Sequence, residues 1–181
     1  IYGTEEAYLD SFRKYTNLIQ PGGCLVLHTD LKLQPNTQEG VTTYYYSREK
    51  GDFHAENIKI GNGRIVFDLI SPIENIPNIE LGVPVAINID NGIGAMALAQ
   101  VAGASAEEIR NAMLSFGGVD RRFDFHVRRE DMVYISDYAH HPEEIRQSIL
   151  SIKQLYNDRR IKAIFQPHLY SRTQDFYKEF A

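Results

Sequence analysis

Two polar segments of this chain hold side chains that could perform chemistry. The first, residues 137–142, places an aspartate, a tyrosine and two histidines within five consecutive positions. The second, residues 166–172, contains a histidine, a tyrosine and an arginine. A carboxylate can hold a ribose hydroxyl or a metal-bound water, and the guanidinium fork matches a carboxylate or a phosphate. Both segments are therefore candidates for a functional site.

Each polar segment follows a short apolar run that predicts a buried strand, at residues 132–136 and 161–165. Between the runs, Pro142 suits the first helical position, and apolar residues recur at helical spacing: Ile145, Ile149, Ile152 and Leu155. The pattern predicts a strand-helix-strand unit. Because such crossovers are right-handed and ligands bind beyond the carboxyl ends of parallel strands, we expect both segments to open on one crevice.

The preceding residues predict an α/β arrangement with a small antiparallel sheet. Thr4 can cap a first helix with an apolar stripe of Tyr8, Phe12, Tyr15 and Ile19. Residues 24–28 are typical of a buried parallel strand. A meander is predicted for residues 42–46, 53–60 and 64–70, with a tight turn at 61–63. Two helices follow. The second is capped by Ser105 and Glu108 and is expected to turn Ile109, Ala112 and Met113 inward. We place a domain boundary near Asp124.

Composition excludes several classes of protein. The 181 residues, 43% of them hydrophobic, suit one compact domain or two small ones. With 24 acidic and 19 basic residues, the formal charge of -5 does not favour a nucleic-acid partner. The single cysteine, Cys24, lies in an apolar run and is expected to be a buried thiol. No apolar run is long enough to span a bilayer and no export pattern is present, so a cytoplasmic location is expected.

Several of these side chains also have ordinary structural interpretations. A lone Asp137 could be a solvated strand-end acid or a helix cap, and His140 or His141 could each be a surface or capping residue. His141 is the stronger cap candidate because it precedes Pro142. Adjacent histidines cannot both face one metal on a regular helix, so this segment does not predict a structural zinc site.

The same two interpretations apply to the other polar candidates. Arg122 could be solvated or could clamp a phosphate, and Arg172 could lie on the surface or clamp a carboxylate. Asn88 and Asn91 stand at a helix start, where either amide could cap the helix or recognise a base. The order of these residues along the chain carries more information than any one of them.

That order resembles the peptidoglycan Mur ligases. The resemblance covers nearly the whole chain and is sharpest in residues 88–92, 118–124, 137–142 and 165–173. It implies an enzyme that uses ATP and Mg²⁺ to activate the carboxylate of UDP-N-acetylmuramate as an acyl phosphate, which the amine of L-alanine attacks. A murein tripeptide ligase of the same family shares the motif at 137–142 but not the loop at 166–173, so the resemblance favours alanine as the amino acid.

The resemblance also implies a domain organisation. Residues 1–124 would be the later part of a P-loop-type central ATPase domain with a small antiparallel sheet. Residues 125–181 would be the start of a Rossmann-like, parallel-sheet carboxyl-terminal domain that delivers the amino acid. No nucleic acid or membrane partner is implied.

By resemblance, the site residues fall into two groups. The nucleotide end would be formed by Asn88, Asn91, Arg122 and Asp137. The amino-acid end would be formed by Tyr138, His140 and Arg172. Arg122 and His140 are the catalytic candidates, and no metal-ligating residue is assigned.

The sequence departs from the family pattern at three points. Ile87 stands where the family usually has histidine, and Leu169 where it often has arginine. The phosphate-loop pattern Gly-x-x-x-x-Gly-Lys-Ser/Thr does not occur in the 181 residues, so we expect an excised piece whose phosphate loop lies before Ile1. Two other functions stay open: a metal-dependent phosphoesterase that uses Asp137, His140, His141 and His168, and a non-catalytic module that binds a nucleotide or a partner.

Overall fold

The computed structural model describes residues 3–167 and 169–180. Helices and strands follow one another along the chain in this order: α1 (Glu5–Thr16), β1 (Cys24–His28), β2 (Thr42–Tyr46), β3 (His54–Gly61), β4 (Arg64–Ile70), β5 (Ile76–Glu80), α2 (Ile87–Val101), α3 (Ala106–Ser115), β6 (Asp124–Arg128), β7 (Val133–Ser136), α4 (Pro142–Leu155), α5 (Tyr170–Asp175) and α6 (Tyr177–Phe180). The α/β class predicted from the sequence is confirmed. None of the helices within the described ranges is long and apolar enough to cross a membrane.

The strands form three small sheets. Strands β1 and β2 pair in parallel, β3, β4 and β5 form an antiparallel sheet, and β6 pairs with β7 antiparallel. The tight turn at Asn62 and Gly63 is confirmed. Both residues have positive φ, 51° and 70°, the backbone that a two-residue type I′ hairpin requires.

The hydrophobic core lies between the antiparallel sheet and α2. Phe67 and Leu69 of β4 and Ile89 and Ile93 of α2 are almost fully buried. The same buried cluster includes Leu155 and Tyr156 at the end of α4. Burial of apolar surface therefore ties the carboxyl-terminal residues to the sheet that precedes them.

The first helix forms as predicted but does not bury its stripe. Thr4 Oγ1 accepts a hydrogen bond from the Ala7 N–H at 3.1 Å and caps α1. Tyr8, Phe12 and Tyr15 are nevertheless 45%, 41% and 72% exposed. In α3 the capping box at Ser105 is present and Ile109 is buried, but Ala112, predicted to point inward, is exposed.

The meander prediction was wrong for residues 42–46. This strand, β2, pairs in parallel with β1, register Cys24 with Thr42 through His28 with Tyr46, and does not join the antiparallel sheet. The long connection between β1 and β2 provides the chain length that a parallel pair requires. The β-branched and aromatic residues of β2 predict a strand but not its neighbour.

The strand-helix-strand prediction was wrong in its second strand. Residues 161–165 are not part of a strand, and Ile164 is fully exposed. Strand β7 instead pairs antiparallel with β6, from Asp124 opposite Ser136 to Arg128 opposite Val133. Helix α4 is confirmed, with Pro142 in its first turn. A strand needs a hydrogen-bonding neighbour, and the neighbour of β7 is β6, the strand immediately before it in the sequence.

Candidate functional site

A cavity of about 540 Å³ lies between the start of α2 and the start of α4. Most of the residues assigned to a site from the sequence line it: Asn88, Asn91, Arg122, Asp137, Tyr138 and His140. The first and the last of them, Asn88 and His140, are 52 positions apart in the sequence. The fold therefore collects the nucleotide candidates and two of the amino-acid candidates in one place.

The two asparagines occupy the first turns of α2. Asn88 Nδ2 donates to the Val83 carbonyl at 3.1 Å, and Asn91 Nδ2 donates to Asn88 Oδ1 at 3.4 Å. The N-cap of α2 is Ala86, which provides no side-chain cap. The capping interpretation of the two amides is therefore not observed. Their mutual hydrogen bond orients Asn88 and leaves Asn91 with further capacity for hydrogen bonds.

Arg122 is held on an unusual backbone. Its neighbours Arg121 and Phe123 both have positive φ, 64° and 50°. The Arg121 carbonyl accepts the Tyr138 N–H at 2.6 Å, and Phe123 is buried beside the cavity. Within residues 3–167 and 169–180, the Arg122 guanidinium has no hydrogen bond or ion pair. The chain is thus fixed on both sides of a side chain that is available to a ligand.

Asp137 directly follows β7, and its carboxylate is oriented by two hydrogen bonds. Oδ1 accepts the Ala139 N–H at 3.1 Å, and Oδ2 accepts the Ser148 hydroxyl at 2.5 Å. Ser148 belongs to α4 and also lines the cavity. Because a carboxylate can accept about four hydrogen bonds, these two contacts fix its direction and still leave acceptor sites for a ligand.

His140 and His141 have different surroundings. His141 caps α4: its Nδ1 accepts the Glu143 N–H at 3.4 Å, which confirms the predicted cap. Glu144 Oε2 accepts the backbone N–H groups of His140 and His141, at 3.0 and 3.1 Å, and completes a capping box. The hydrogen bond from the His140 backbone is the main reason that the pKa of Glu144 is lowered.

The His140 side chain faces the tyrosine two positions before it. Its Nδ1 lies 2.8 Å from the Tyr138 carbonyl oxygen, and the two rings meet edge to face at 5.2 Å. If Nδ1 donates to this carbonyl, Nε2 becomes the acceptor of a neutral imidazole. Such a nitrogen can take a proton from a ligand in the cavity.

Arg48 also lines the cavity and was missed in the sequence analysis. Its backbone N–H and its Nη2 both donate to the Asp90 carboxylate at 2.8 Å, and Nη2 donates to the Ala86 carbonyl at 2.5 Å. Its Nε is buried without a partner in the described residues. Arg48 lies just beyond the carboxyl end of β2, and only the parallel pairing of β2 with β1 marks that end as a position for ligand-binding residues.

Two further residues surround the Asp90 carboxylate. His28 Nε2 lies 3.8 Å from Asp90 Oδ1, and the His28 ring meets Tyr46 edge to face at 5.2 Å. Burial, with a smaller effect of Asp90, raises the pKa of Tyr46. The carboxylate thus links the ends of β1 and β2 to the first turn of α2, which carries the two asparagines.

The second polar segment is not part of this cavity. Neither Arg172 nor any other described residue of 166–172 lines it, and His168 lies outside the described residues. The expectation of one crevice for both segments fails because residues 161–165 form no strand beside β7. Helix α5 is nevertheless close to the first segment, since the Phe176 ring lies 4.8 Å from the His141 ring.

In the part of the chain that the structure describes, no three His, Cys, Asp or Glu side chains come together in a way that could hold a metal ion. A phosphoesterase metal centre built on Asp137, His140 and His141 is therefore not observed. His168, the fourth residue of that hypothesis, is outside the described residues.

Residues 121–181 match the profile of the Mur ligase, glutamate ligase domain family. The whole chain is 65% identical to UDP-N-acetylmuramate–L-alanine ligase of Phocaeicola vulgatus, of which it covers 40%, and 53% identical to the protein of the same name in Parabacteroides distasonis, of which it covers 39%. The chain thus spans about two fifths of the length of these relatives.

The fold is similar to that of a UDP-N-acetylmuramate–alanine ligase from Thermotoga maritima. The TM-score is 0.76 at 23% sequence identity, over 96% of this chain and 39% of that structure. The family profile and the sequence matches over the whole of this chain point to the same group of ligases, and the fold is consistent with them. Residues 121–181, the carboxyl-terminal third of the chain, belong to the Mur ligase family.

Proposed function

We propose that the chain is part of an ATP-dependent amide-bond ligase that adds L-alanine to UDP-N-acetylmuramate in peptidoglycan synthesis, in the cytoplasm. The observation that carries the proposal is the single cavity lined by Asn88, Asn91, Arg122, Asp137, Tyr138 and His140. The names of relatives that match over the whole chain support the choice of substrates. Residues 1–124 would belong to the central ATPase domain, and residues 125–181 to the amino-acid domain.

In the proposed reaction, the γ-phosphoryl group of ATP passes to the muramoyl carboxylate and ADP leaves. The alanine amine then attacks the acyl phosphate, an amide bond forms, inorganic phosphate leaves and the amine loses a proton. Phosphoryl transfer depends mainly on positioning and on stabilising the charge of the transferring group. The residues of the cavity suit these two tasks.

Arg122 is proposed to contact the terminal phosphates. Its guanidinium has no partner in the described ranges, so no existing ion pair must break when an anion binds. The hydrogen bond from Tyr138 N–H to the Arg121 carbonyl fixes the backbone beside it. A cation that is already in place stabilises developing charge without reorganisation during the reaction.

The other side chains of the cavity are proposed to orient the nucleotide and the amino acid. The amides of Asn88 and Asn91 would meet the adenine, and the Asp137 carboxylate the ribose hydroxyls. Tyr138 and His140 would border the alanine, with His140 able to accept a proton from the attacking amine. Arg172 is proposed for the alanine carboxylate, although it stands outside the cavity.

The cavity fits a nucleotide in size, since about 540 Å³ lies within the usual range of roughly 300–1,000 Å³ for ligand sites. We propose ATP as the nucleotide and Mg²⁺ as its ion. The described residues offer no cluster of metal ligands, so no side chain of this chain is assigned to Mg²⁺. Mg²⁺ is commonly held by substrate phosphates and water, and we place the phosphate loop elsewhere in the full-length protein.

The test uses the full-length protein with ATP, Mg²⁺, UDP-N-acetylmuramate and L-alanine. We expect ADP release that requires both substrates, and a product whose mass corresponds to one new alanyl amide. Murein tripeptide in place of alanine tests the related ligase of the same family. Phosphate release that needs a transition metal but no amino acid would contradict the proposal and support a phosphoesterase.

A further inference from the structure

The tip of the β3–β4 hairpin is bound to the carboxyl-terminal part of the chain. The Gly63 N–H donates to the Leu155 carbonyl at 3.0 Å, and the Gly63 carbonyl accepts a hydrogen bond from the Arg128 guanidinium. Leu155 ends α4 and Arg128 ends β6. Both backbone groups of one turn residue are therefore used in joining the hairpin to two later elements.

Tyr156 covers the same residue. A Cβ added at Gly63 would lie 2.7 Å from the Tyr156 Oη and 3.0 Å from its Cε1, and Gly63 has a φ of +70°. Leu155 and Tyr156 are 1% and 7% exposed, so the ring is packed against its surroundings and resists movement. The position thus excludes any side chain by contact, and its backbone conformation disfavours one.

Helix α4 connects this hairpin contact, formed by Gly63, Arg128, Leu155 and Tyr156, to the cavity. Ser148 and Ser151 of α4 line the cavity, and Leu155 lies about one turn beyond Ser151. The 14-residue helix is about 21 Å long. The amino-terminal part of α4 therefore borders the cavity, and its carboxyl-terminal end is bound to the hairpin.

The opposite wall of the cavity belongs to the same packed core as the hairpin. Asn88 and Asn91 lie on α2, whose Ile89 and Ile93 pack in the cluster that contains the β4 residues Phe67 and Leu69. The hairpin contact thus sets where α4 stands relative to α2. The width of the cavity depends on that distance.

We propose that Gly63 is a positioning residue of the ligase: it docks the hairpin on α4 and so fixes the separation of the two walls that hold the nucleotide and the amino acid. This inference rests on the proposed function. Gly63 itself does not line the cavity. Reacting groups must lie about 3–3.5 Å apart, and a displacement of about 1 Å can reduce the rate on the order of a hundredfold.

The first measurement follows the geometry without any substrate. The experiment uses the full-length protein with its native cysteines replaced by serine. Spin labels at Glu107→Cys on α3 and Lys153→Cys on α4 report the distance between these two helices. Both positions are exposed. We expect Gly63→Ala to shift or broaden the distance distribution. Gly61→Ala is the matched control in the same hairpin: its φ of +158° also disfavours a side chain, but a Cβ there meets nothing within 4 Å, so it tests backbone strain without the contact to Tyr156.

The second measurement is steady-state kinetics. We expect Gly63→Ala to lower kcat on the order of tenfold or more, while Gly61→Ala keeps the wild-type value. Tyr156→Phe removes the atom nearest to the added methyl group and should restore part of the loss. If Gly63→Ala does not fold, Arg128→Gln, a change at an exposed residue, tests the same contact from its other side.

An unchanged distance distribution in both Gly63→Ala and Arg128→Gln would overturn the inference, as would the same change in Gly61→Ala. The distance measurement does not require activity. If Gly63→Ala changes the distance distribution but the wild-type protein does not ligate alanine, the proposed function is contradicted and the hairpin contact stays supported.

Discussion

The Ser148 hydroxyl donates a hydrogen bond to Asp137 Oδ2 and so joins the end of β7 to the second turn of α4. The Ala139 N–H holds the other carboxylate oxygen. The direction of this carboxylate is thus set before any ligand binds. A preset acceptor at the edge of a cavity loses less entropy on binding than a free side chain does.

Asp137→Asn should weaken the use of ATP by the full-length enzyme. The amide keeps the shape but loses a charge-assisted contact, which costs about 1.5–3 kcal/mol, or roughly ten- to a hundredfold in the specificity constant for ATP. Kinetics at varied ATP would measure this. Ser148→Ala keeps the Asp137 carboxylate but removes one of the hydrogen bonds that orient it. This variant should give a smaller loss in the specificity constant for ATP. A wild-type ATP dependence in Asp137→Asn would remove this residue from the nucleotide site.

Arg122→Ala should lower the specificity constant for ATP by roughly ten- to a hundredfold, because one cation near the phosphates is lost. Stability should hardly change, since the guanidinium has no partner in residues 3–167 and 169–180. Arg160→Ala is the control: it removes an exposed arginine that does not line the cavity. A fall in the unfolding temperature without a kinetic effect would show that Arg122 has a structural role.

Arg172→Lys should raise the KM for alanine more than the KM for ATP. Lysine keeps the charge but cannot form two parallel hydrogen bonds to a carboxylate. The contact between Phe176 and His141 brings α5 beside the loop that carries His140. Varying each substrate in turn separates the outcomes: an equal loss for both substrates indicates a structural role, and no loss for alanine excludes Arg172 from the site.

Glu144→Gln should destabilise the protein above about pH 4.5 and lose its effect in acid. The folded state lowers the pKa of Glu144 below its ordinary value of 4.5, so the ionised carboxylate stabilises the native state above that value. This contribution disappears as the pH falls through the lowered pKa. Glutamine retains the reach of a capping box without the charge. The free energy of unfolding of both proteins, measured by denaturant titration between pH 3 and 7, tests this. A difference that stays constant over the whole range would contradict it.

Residues 1–181 alone should neither ligate alanine nor hydrolyse ATP at a useful rate. The sequence contains no phosphate loop, and phosphoryl transfer depends on the groups that hold the triphosphate. Phosphate release by the purified chain, compared with an Arg122→Ala preparation made in the same way, checks this expectation. A steady ATPase activity that Arg122→Ala abolishes would contradict it.

Local signals in the sequence predicted local structure well. The caps at Thr4, Ser105 and His141 and the turn at residues 61–63 depend on hydrogen bonds or backbone angles within a few positions, and all four are observed. Six of the seven site residues suggested by the order of polar motifs line the cavity, and Arg172 does not. These features are contained in short stretches of sequence.

Strand partners were harder to predict because pairing joins distant residues. Residues 42–46 have the same β-forming composition in a parallel pair as in a meander, and an apolar run at 161–165 does not become a strand without a neighbour. Arg48 was missed for the same reason: its place at the cavity follows from the pairing of β2 with β1. Composition cannot reveal that pairing.

The positive φ angles on both sides of Arg122 restrict how this segment can evolve. A residue with a side chain in the left-handed region costs roughly 1–2 kcal/mol relative to the right-handed helix, and β-branched residues are particularly disfavoured there. Drift at Arg121 towards glycine or asparagine is therefore tolerated by the backbone, whereas valine or isoleucine would be selected against. At Phe123 even glycine would be unfavourable, because the buried aromatic ring would be lost from the core. The two neighbours of Arg122 are thus constrained by backbone geometry, although neither is proposed to contact the phosphates.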